Sequence, residues 1–115
     1  MSRILFVCSA NKDRSKTADD YFSEKYPKID FLSGGTNHKI CNQLGTEPIT
    51  EEMVDWADEV IVMETKHRDF ILKNTEGNYA SKIKVLNIRD VYKYGQKELI
   101  NLLEEKVGPI IQEYL

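Results

Sequence analysis

The apolar positions of this 115-residue chain fall into short runs separated by amphipathic stretches, and the alternation repeats four times. Ile4-Leu5-Phe6-Val7 is continuous enough to be a strand buried on both faces, and it runs into Cys8. From Lys16 to Tyr26, the residues Ala18, Tyr21, Phe22 and Tyr26 recur at helical spacing, and Pro27 stops the pattern. Ile29 to Ser33 predicts a second strand, punctuated by Gly34-Gly35. Thr36 to Ile49 is irregular and rich in turn formers, and predicts mainly loop with room for one helical turn around Cys41 to Leu44.

The second half repeats the theme. Thr50 is placed to cap a short helix carrying Met53, Val54, Trp56 and Ala57, with Glu51 and Glu52 in its favourable first turn. Glu59 to Met63 predicts a third strand, Lys66 to Lys73 a helix burying Phe70 with Ile71, and Asn74 to Ser81 a surface loop. Lys82 to Ile88 predicts the fourth strand. The last helix, from Gln96, buries Leu99, Leu103 and Val107, and Gly108-Pro109 is expected to interrupt or kink it. Four βα units imply a parallel sheet with helices on both faces and ligands at the carboxyl ends of the strands.

Composition narrows the class. The length suits a single domain over residues 1–115, with 41% apolar and 30% charged residues as in soluble globular proteins. A net charge of −3 gives no basic surface for nucleic acid or an acidic membrane. Cys8 and Cys41 are too few for a disulfide scaffold, and with no secretory signal or long apolar run the expectation is a cytoplasmic protein. His38 and His67 lack metal-ligand spacing and are expected on the surface; Trp56 is expected in the core. Cys41 is expected to be an ordinary semi-buried thiol, the alternative being a protective disulfide with Cys8.

The chemistry concentrates where the first strand ends. Cys8-Ser9-Ala10-Asn11-Lys12-Asp13-Arg14-Ser15 is C-x5-R followed by serine, between a strand and a helix. Such a loop turns successive N–H groups toward one point, and the helix N-terminus adds its positive end, so residues 9 to 14 are candidates for an oxyanion hollow. Arg14 offers a planar fork of donors for two phosphate oxygens, and the same field favours the thiolate of Cys8. Ser15 could donate its hydroxyl to that thiolate. Asp13 allows two placements: outward, paired with Lys12 or Lys16, or inward, where it weakens anion binding. A thiolate attacking a phosphate ester needs an acid for the leaving oxygen, and Asp90, two residues past the fourth strand, lies at the same sheet edge. Tyr92 and Tyr94 beside it are candidates for a substrate cleft, the alternative being rim packing.

These residues, together with Ser33-Gly34-Gly35-Thr36 and Asp90-Val91-Tyr92-Lys93-Tyr94-Gly95, resemble the low-molecular-weight protein tyrosine phosphatases. Thr50-Glu51-Glu52, Trp56-Ala57-Asp58, Val62-Met63-Glu64 and His67-Arg68-Asp69 resemble a small bacterial branch of that family, so the similarity covers nearly the whole chain. The resemblance implies a flavodoxin-like three-layer sandwich, a cysteinyl-phosphate intermediate, and no metal or other cofactor. It makes Cys8 the nucleophile, Arg14 the phosphate clamp, Asn11 a loop-shaping residue, Ser15 the thiolate's partner and Asp90 the general acid. The chain departs from the family in placing Val91 after Asp90 where proline is usual, and Gln96-Lys97 where the branch often carries Asp-Pro. The implied partner is a phosphotyrosine protein or a small phosphomonoester, with no nucleic acid or membrane. Three other readings share parts of the pattern. A non-catalytic phosphoprotein-binding module would keep the loop alone. A thioredoxin-coupled arsenate reductase needs relay cysteines beyond Cys41, and a cysteine phosphocarrier lacks the arginine of the C-x5-R spacing.

Overall fold

The computed structural model describes residues 2–115. In chain order it contains β1 (Arg3–Cys8), α1 (Arg14–Lys25), β2 (Asp30–Gly35), α2 (His38–Leu44), α3 (Glu51–Trp56), β3 (Glu59–Val62), α4 (Thr65–Asn74), β4 (Ile83–Val85) and α5 (Lys97–Gln112). All strand pairs are parallel, in the order β2-β1-β3-β4. The chain leaves β1 toward one neighbour and returns to the other, so the direction of winding reverses at the carboxyl end of β1. Ligand crevices of open α/β sheets lie at such a point.

The continuous apolar run of β1 is explained by its central place. Ile4 and Phe6 pack with Ala18 and Phe22 of α1 and Leu99, Leu103 and Val107 of α5. Leu5 and Val7 face the other way, toward Val54 of α3 and Ile71 of α4. Phe6 stacks on Phe22 and Phe31 at centroid distances of 5.9 and 5.7 Å, which fixes α1 against the sheet. Each such side chain, fully buried, contributes about 1.5–3 kcal/mol.

Several expected boundaries move for identifiable reasons. Gly34 and Gly35 belong to β2 instead of ending it: Gly35 pairs with Cys8. They are glycines because of close approach. A Cβ on Gly34 would lie 2.4 Å from Ile49 Cγ2, and one on Gly35 would lie 2.5 Å from the Ser9 carbonyl oxygen and 2.6 Å from Cys41 Sγ. The expected loop after them contains a helix of two turns, α2, capped by the Asn37 side chain and closed by Gly45 at φ 73°. The fourth strand is shorter than its apolar run. Asn87, at φ 59°, breaks the regular strand, while Leu86 and Ile88 stay buried and still donate N–H groups to the carbonyls of Val62 and Met63. Helix α5 continues through Pro109 to Gln112, contrary to the expected interruption. Pro109 faces solvent, while Leu99, Leu103, Val107 and Ile111 at i, i+4 spacing are completely buried and hold the last turns to the sheet. In α4, Ile71 is the buried apolar residue and Phe70 stays half-exposed at a rim; Trp56 is likewise only half-buried.

Candidate active site

The loop from β1 to α1 is held by its carbonyls. The Cys8 and Ser9 carbonyls accept from Thr36 N and Asn37 N, both at 2.9 Å, and that of Ala10 accepts from Thr46 Oγ1 at 2.6 Å. With the carbonyls drawn toward the segments on either side of α2, the N–H groups are left over. None from Ser9 to Arg14 is taken up by another protein group among the described residues. Asn11 supplies the sharp turn at φ 53°, a left-handed conformation that asparagine tolerates better than most residues. Its buried amide donates to Ser15 Oγ at 2.9 Å and accepts from Glu47 N at 3.2 Å.

Cys8 is buried, and its Sγ lies 2.9 Å from Ser15 Oγ. Since Asn11 already donates to that oxygen, the serine proton is free to point at the sulfur, and a thiolate there has a hydroxyl donor in place. Arg14 is 1% exposed. Its Nη1 donates to Glu64 Oε2 at 2.6 Å and to the Ile88 carbonyl at 2.7 Å, while its buried Nε has no hydrogen-bond partner. Asp90 Oδ1 is 3.6 Å from that Nε. The hydrogen bond from Arg14 holds the Glu64 carboxyl below the usual range. Asp90 itself is largely open to solvent.

Asp13 takes neither of its two expected placements. Its Oδ1 accepts from the backbone N–H of Tyr94 at 2.9 Å, and Lys16 pairs instead with Asp20 at 3.1 Å. Thr17 Oγ1 accepts from Gly95 N at 3.0 Å, and the Tyr94 hydroxyl donates to Asp20, which raises the tyrosine's pKa. The start of α1 thus clasps the loop that carries Asp90. Tyr94 remains exposed although its hydroxyl is tied down, and Tyr92 packs half-buried against the core beneath α1 and α5. Lys12 projects into solvent from the loop.

Three further residues belong here that sequence reasoning did not assign to the site. His67, expected on the surface, is completely buried. Its Nδ1 accepts from Glu64 N at 3.0 Å and its Nε2 lies 2.9 Å from Ser9 Oγ. These partners assign the neutral tautomer with the proton on Nε2, donating to the residue after Cys8. Burial, and then the Arg14 charge, push its pKa down to about 4. Glu64 is the second, the N-cap partner of that histidine and the anchor of Arg14; the Glu64 to His67 spacing at a helix start was the available signal. Cys41, expected to be semi-buried, is completely buried beneath the loop, with its thiol 3.5 Å from the Ala10 carbonyl. Both cysteines are free. His38 is exposed, its ring 6.0 Å from that of Phe70. Among the described residues no cluster of three or more His, Cys, Asp or Glu could hold a metal ion, and no helix is long and apolar enough to cross a membrane.

No protein-family model matches the chain, and no curated protein matches it. Solved structures do. The low-molecular-weight protein tyrosine phosphatase SP-PTP of Streptococcus pyogenes superposes with a TM-score of 0.79 at 16% identity, over 100% of this chain and 94% of that one. The tyrosine phosphatase AmsI of Erwinia amylovora gives 0.77 at 21% identity, over 97% and 92%. The YwlE arginine phosphatase of Geobacillus stearothermophilus gives 0.66 at 22% identity, over 100% and 98%. The chain therefore has the fold of the low-molecular-weight phosphatases, as its strand order and full-length overlap require.

Proposed function

We propose that this protein is a cysteine-dependent phosphomonoesterase, with phosphotyrosine as its leading substrate, working through a cysteinyl-phosphate intermediate. The observation that carries the reading is the buried Arg14 with its unpartnered Nε. An unsatisfied buried donor costs about 1–3 kcal/mol, and a phosphate oxygen held in the loop would satisfy it. The free loop N–H groups and the Cys8–Ser15 contact support the same reading. So does the shared fold with proteins described as tyrosine and arginine phosphatases.

The chemistry follows from these groups. The Cys8 thiolate attacks phosphorus, the S–P bond forms, and the ester P–O bond breaks as Asp90 gives its proton to the departing oxygen. Charge that develops on the remaining oxygens is met by the loop N–H groups and Arg14. In the second step Asp90 takes a proton from a water that attacks phosphorus, the S–P bond breaks, and Ser15 donates to the departing thiolate. Neutral His67 keeps a donor on Ser9 without adding a proton that could pass to substrate.

The test is hydrolysis of p-nitrophenyl phosphate by wild type and Cys8→Ser, with vanadate as competitor. Turnover that vanishes in the variant and under vanadate is the expected result. Turnover surviving Cys8→Ser overturns the mechanism, and vanadate binding by an inactive wild type identifies a binding module instead. Matched phosphotyrosine and phosphoarginine peptides then decide the substrate; faster release from the arginine peptide would overturn the phosphotyrosine assignment.

A further inference from the structure

A cavity of about 210 Å³ opens between α2, α3 and α4, with Ile49, Val54 and Ile71 as its floor, Phe70 as a wall and His38 and Asn74 at its mouth. A second, more polar hollow lies against the phosphate loop, lined by Ser9, Thr36, Asn37, His38, Lys66 and Phe70. The two share His38 and Phe70, so they adjoin, with that ring pair as the sill between them. One end is the residue following the nucleophile and the other is an apolar pocket with room for a single large side chain.

We propose that the apolar cavity is a specificity subsite for a protein substrate, taking a branched aliphatic or aromatic side chain one or two residues from the phosphorylated one. The inference rests on the phosphatase reading above. A small phosphate ester would occupy only the loop and leave the far cavity unused. A peptide fits both hollows: its phosphoryl group in the loop, its backbone beside the polar Thr36, Asn37 and Lys66, and an apolar side chain beyond the sill. Ile49, Val54 and Ile71 are core residues in any case, but none of the described residues covers the cavity they floor. The mouth residues His38 and Asn74 are exposed and pack on no core. Burial of an apolar side chain there would be gained only by a substrate long enough to reach it.

The experiment compares phosphotyrosine heptapeptides carrying leucine or serine at each of the two positions on either side of the phosphorylated residue, with p-nitrophenyl phosphate run in parallel. At one of these positions leucine should raise kcat/KM about tenfold over serine, equivalent to about 1.4 kcal/mol. Asn74→Trp, which narrows the mouth from an exposed helix end, should bring the leucine-to-serine ratio back toward one. No preference at any position, or a ratio that survives Asn74→Trp, overturns the subsite, even where p-nitrophenyl phosphate is hydrolysed. Should wild type hydrolyse none of these esters, the phosphatase reading fails separately. The same peptides titrated against Cys8→Ser then decide the subsite: a leucine preference in binding upholds it, and equal binding overturns it.

Discussion

Asp13 Oδ1 accepts the backbone N–H of Tyr94 at 2.9 Å, a bond between residues 81 positions apart that ties the phosphate loop to the loop carrying Asp90. It accounts for a carboxylate in the middle of an oxyanion loop: the charge is turned toward another backbone. The consequence is a dependence of the acid on the clasp. Asp13→Ala should slow phenyl phosphate, whose leaving oxygen needs a proton, about tenfold more than p-nitrophenyl phosphate. Asp13→Asn, which keeps the accepting oxygen, should stay near wild type on both. Loss of one hydrogen bond, about 0.5–1.5 kcal/mol, should also lower the melting temperature of the alanine variant by a few degrees. Equal losses on the two esters would disconnect Asp13 from the acid.

Asp90 stands 3.6 Å from Arg14 Nε, next to the site where phosphate oxygens are expected to dock, and is otherwise open to solvent. An acid in that place matters in proportion to the basicity of the leaving group. Asp90→Asn should cost phenyl phosphate about 10²–10⁴-fold and p-nitrophenyl phosphate much less. A uniform loss across a series of substituted phenyl phosphates would assign proton donation to another group.

The Arg14 guanidinium is divided: Nη1 is held by Glu64 and the Ile88 carbonyl, and Nε is left for the ligand. Lysine keeps the charge but lacks the planar fork. Arg14→Lys should therefore lose about 10²–10³ in kcat/KM, and vanadate should bind more weakly by a similar margin, measured by inhibition and by titration. Vanadate affinity equal to wild type would mean that charge alone, without the fork, binds the anion.

The parts of the molecule that announce themselves in sequence are those whose burial is periodic or total. β1 is an unbroken apolar run because both its faces are covered, and α5 shows Leu99, Leu103 and Val107 on one stripe. Helix α2 is faint, legible only as room for one turn around Cys41 to Leu44, because Cys41 is its one buried residue while Leu44 stays half-exposed. The site divides in the same way. Cys8, Asn11, Arg14 and Ser15 fall within one local turn, so spacing alone brings them together. Glu64 and His67 arrive from the start of α4, 50 and 58 positions from their partners Arg14 and Ser9, through the crossing of β3 beside β1. The Glu64 to His67 spacing marks a helix start, but no local pattern records their pairing with Arg14 and Ser9.

His67 makes acid stability a readout of the site. Its folded-state pKa is about 4, against an ordinary value of 6.5 for the unfolded chain. Below pH 6.5 the unfolded chain therefore takes up a proton that the folded protein refuses. Stability is fully present above about pH 6.5 and is lost as the pH falls toward 4, by up to about 3 kcal/mol for this one group. Urea midpoints measured between pH 7.5 and 4.5 should fall steeply for wild type. His67→Gln, which keeps an acceptor and a donor but no titrating ring, should start less stable at neutral pH and decline less on acidification. Glu64, whose pKa is lowered by Arg14, keeps its contribution through this window and loses it only at still lower pH. Parallel curves for the two proteins would show that His67 takes up its proton equally in both states, and would remove the neutral donor assigned to Ser9.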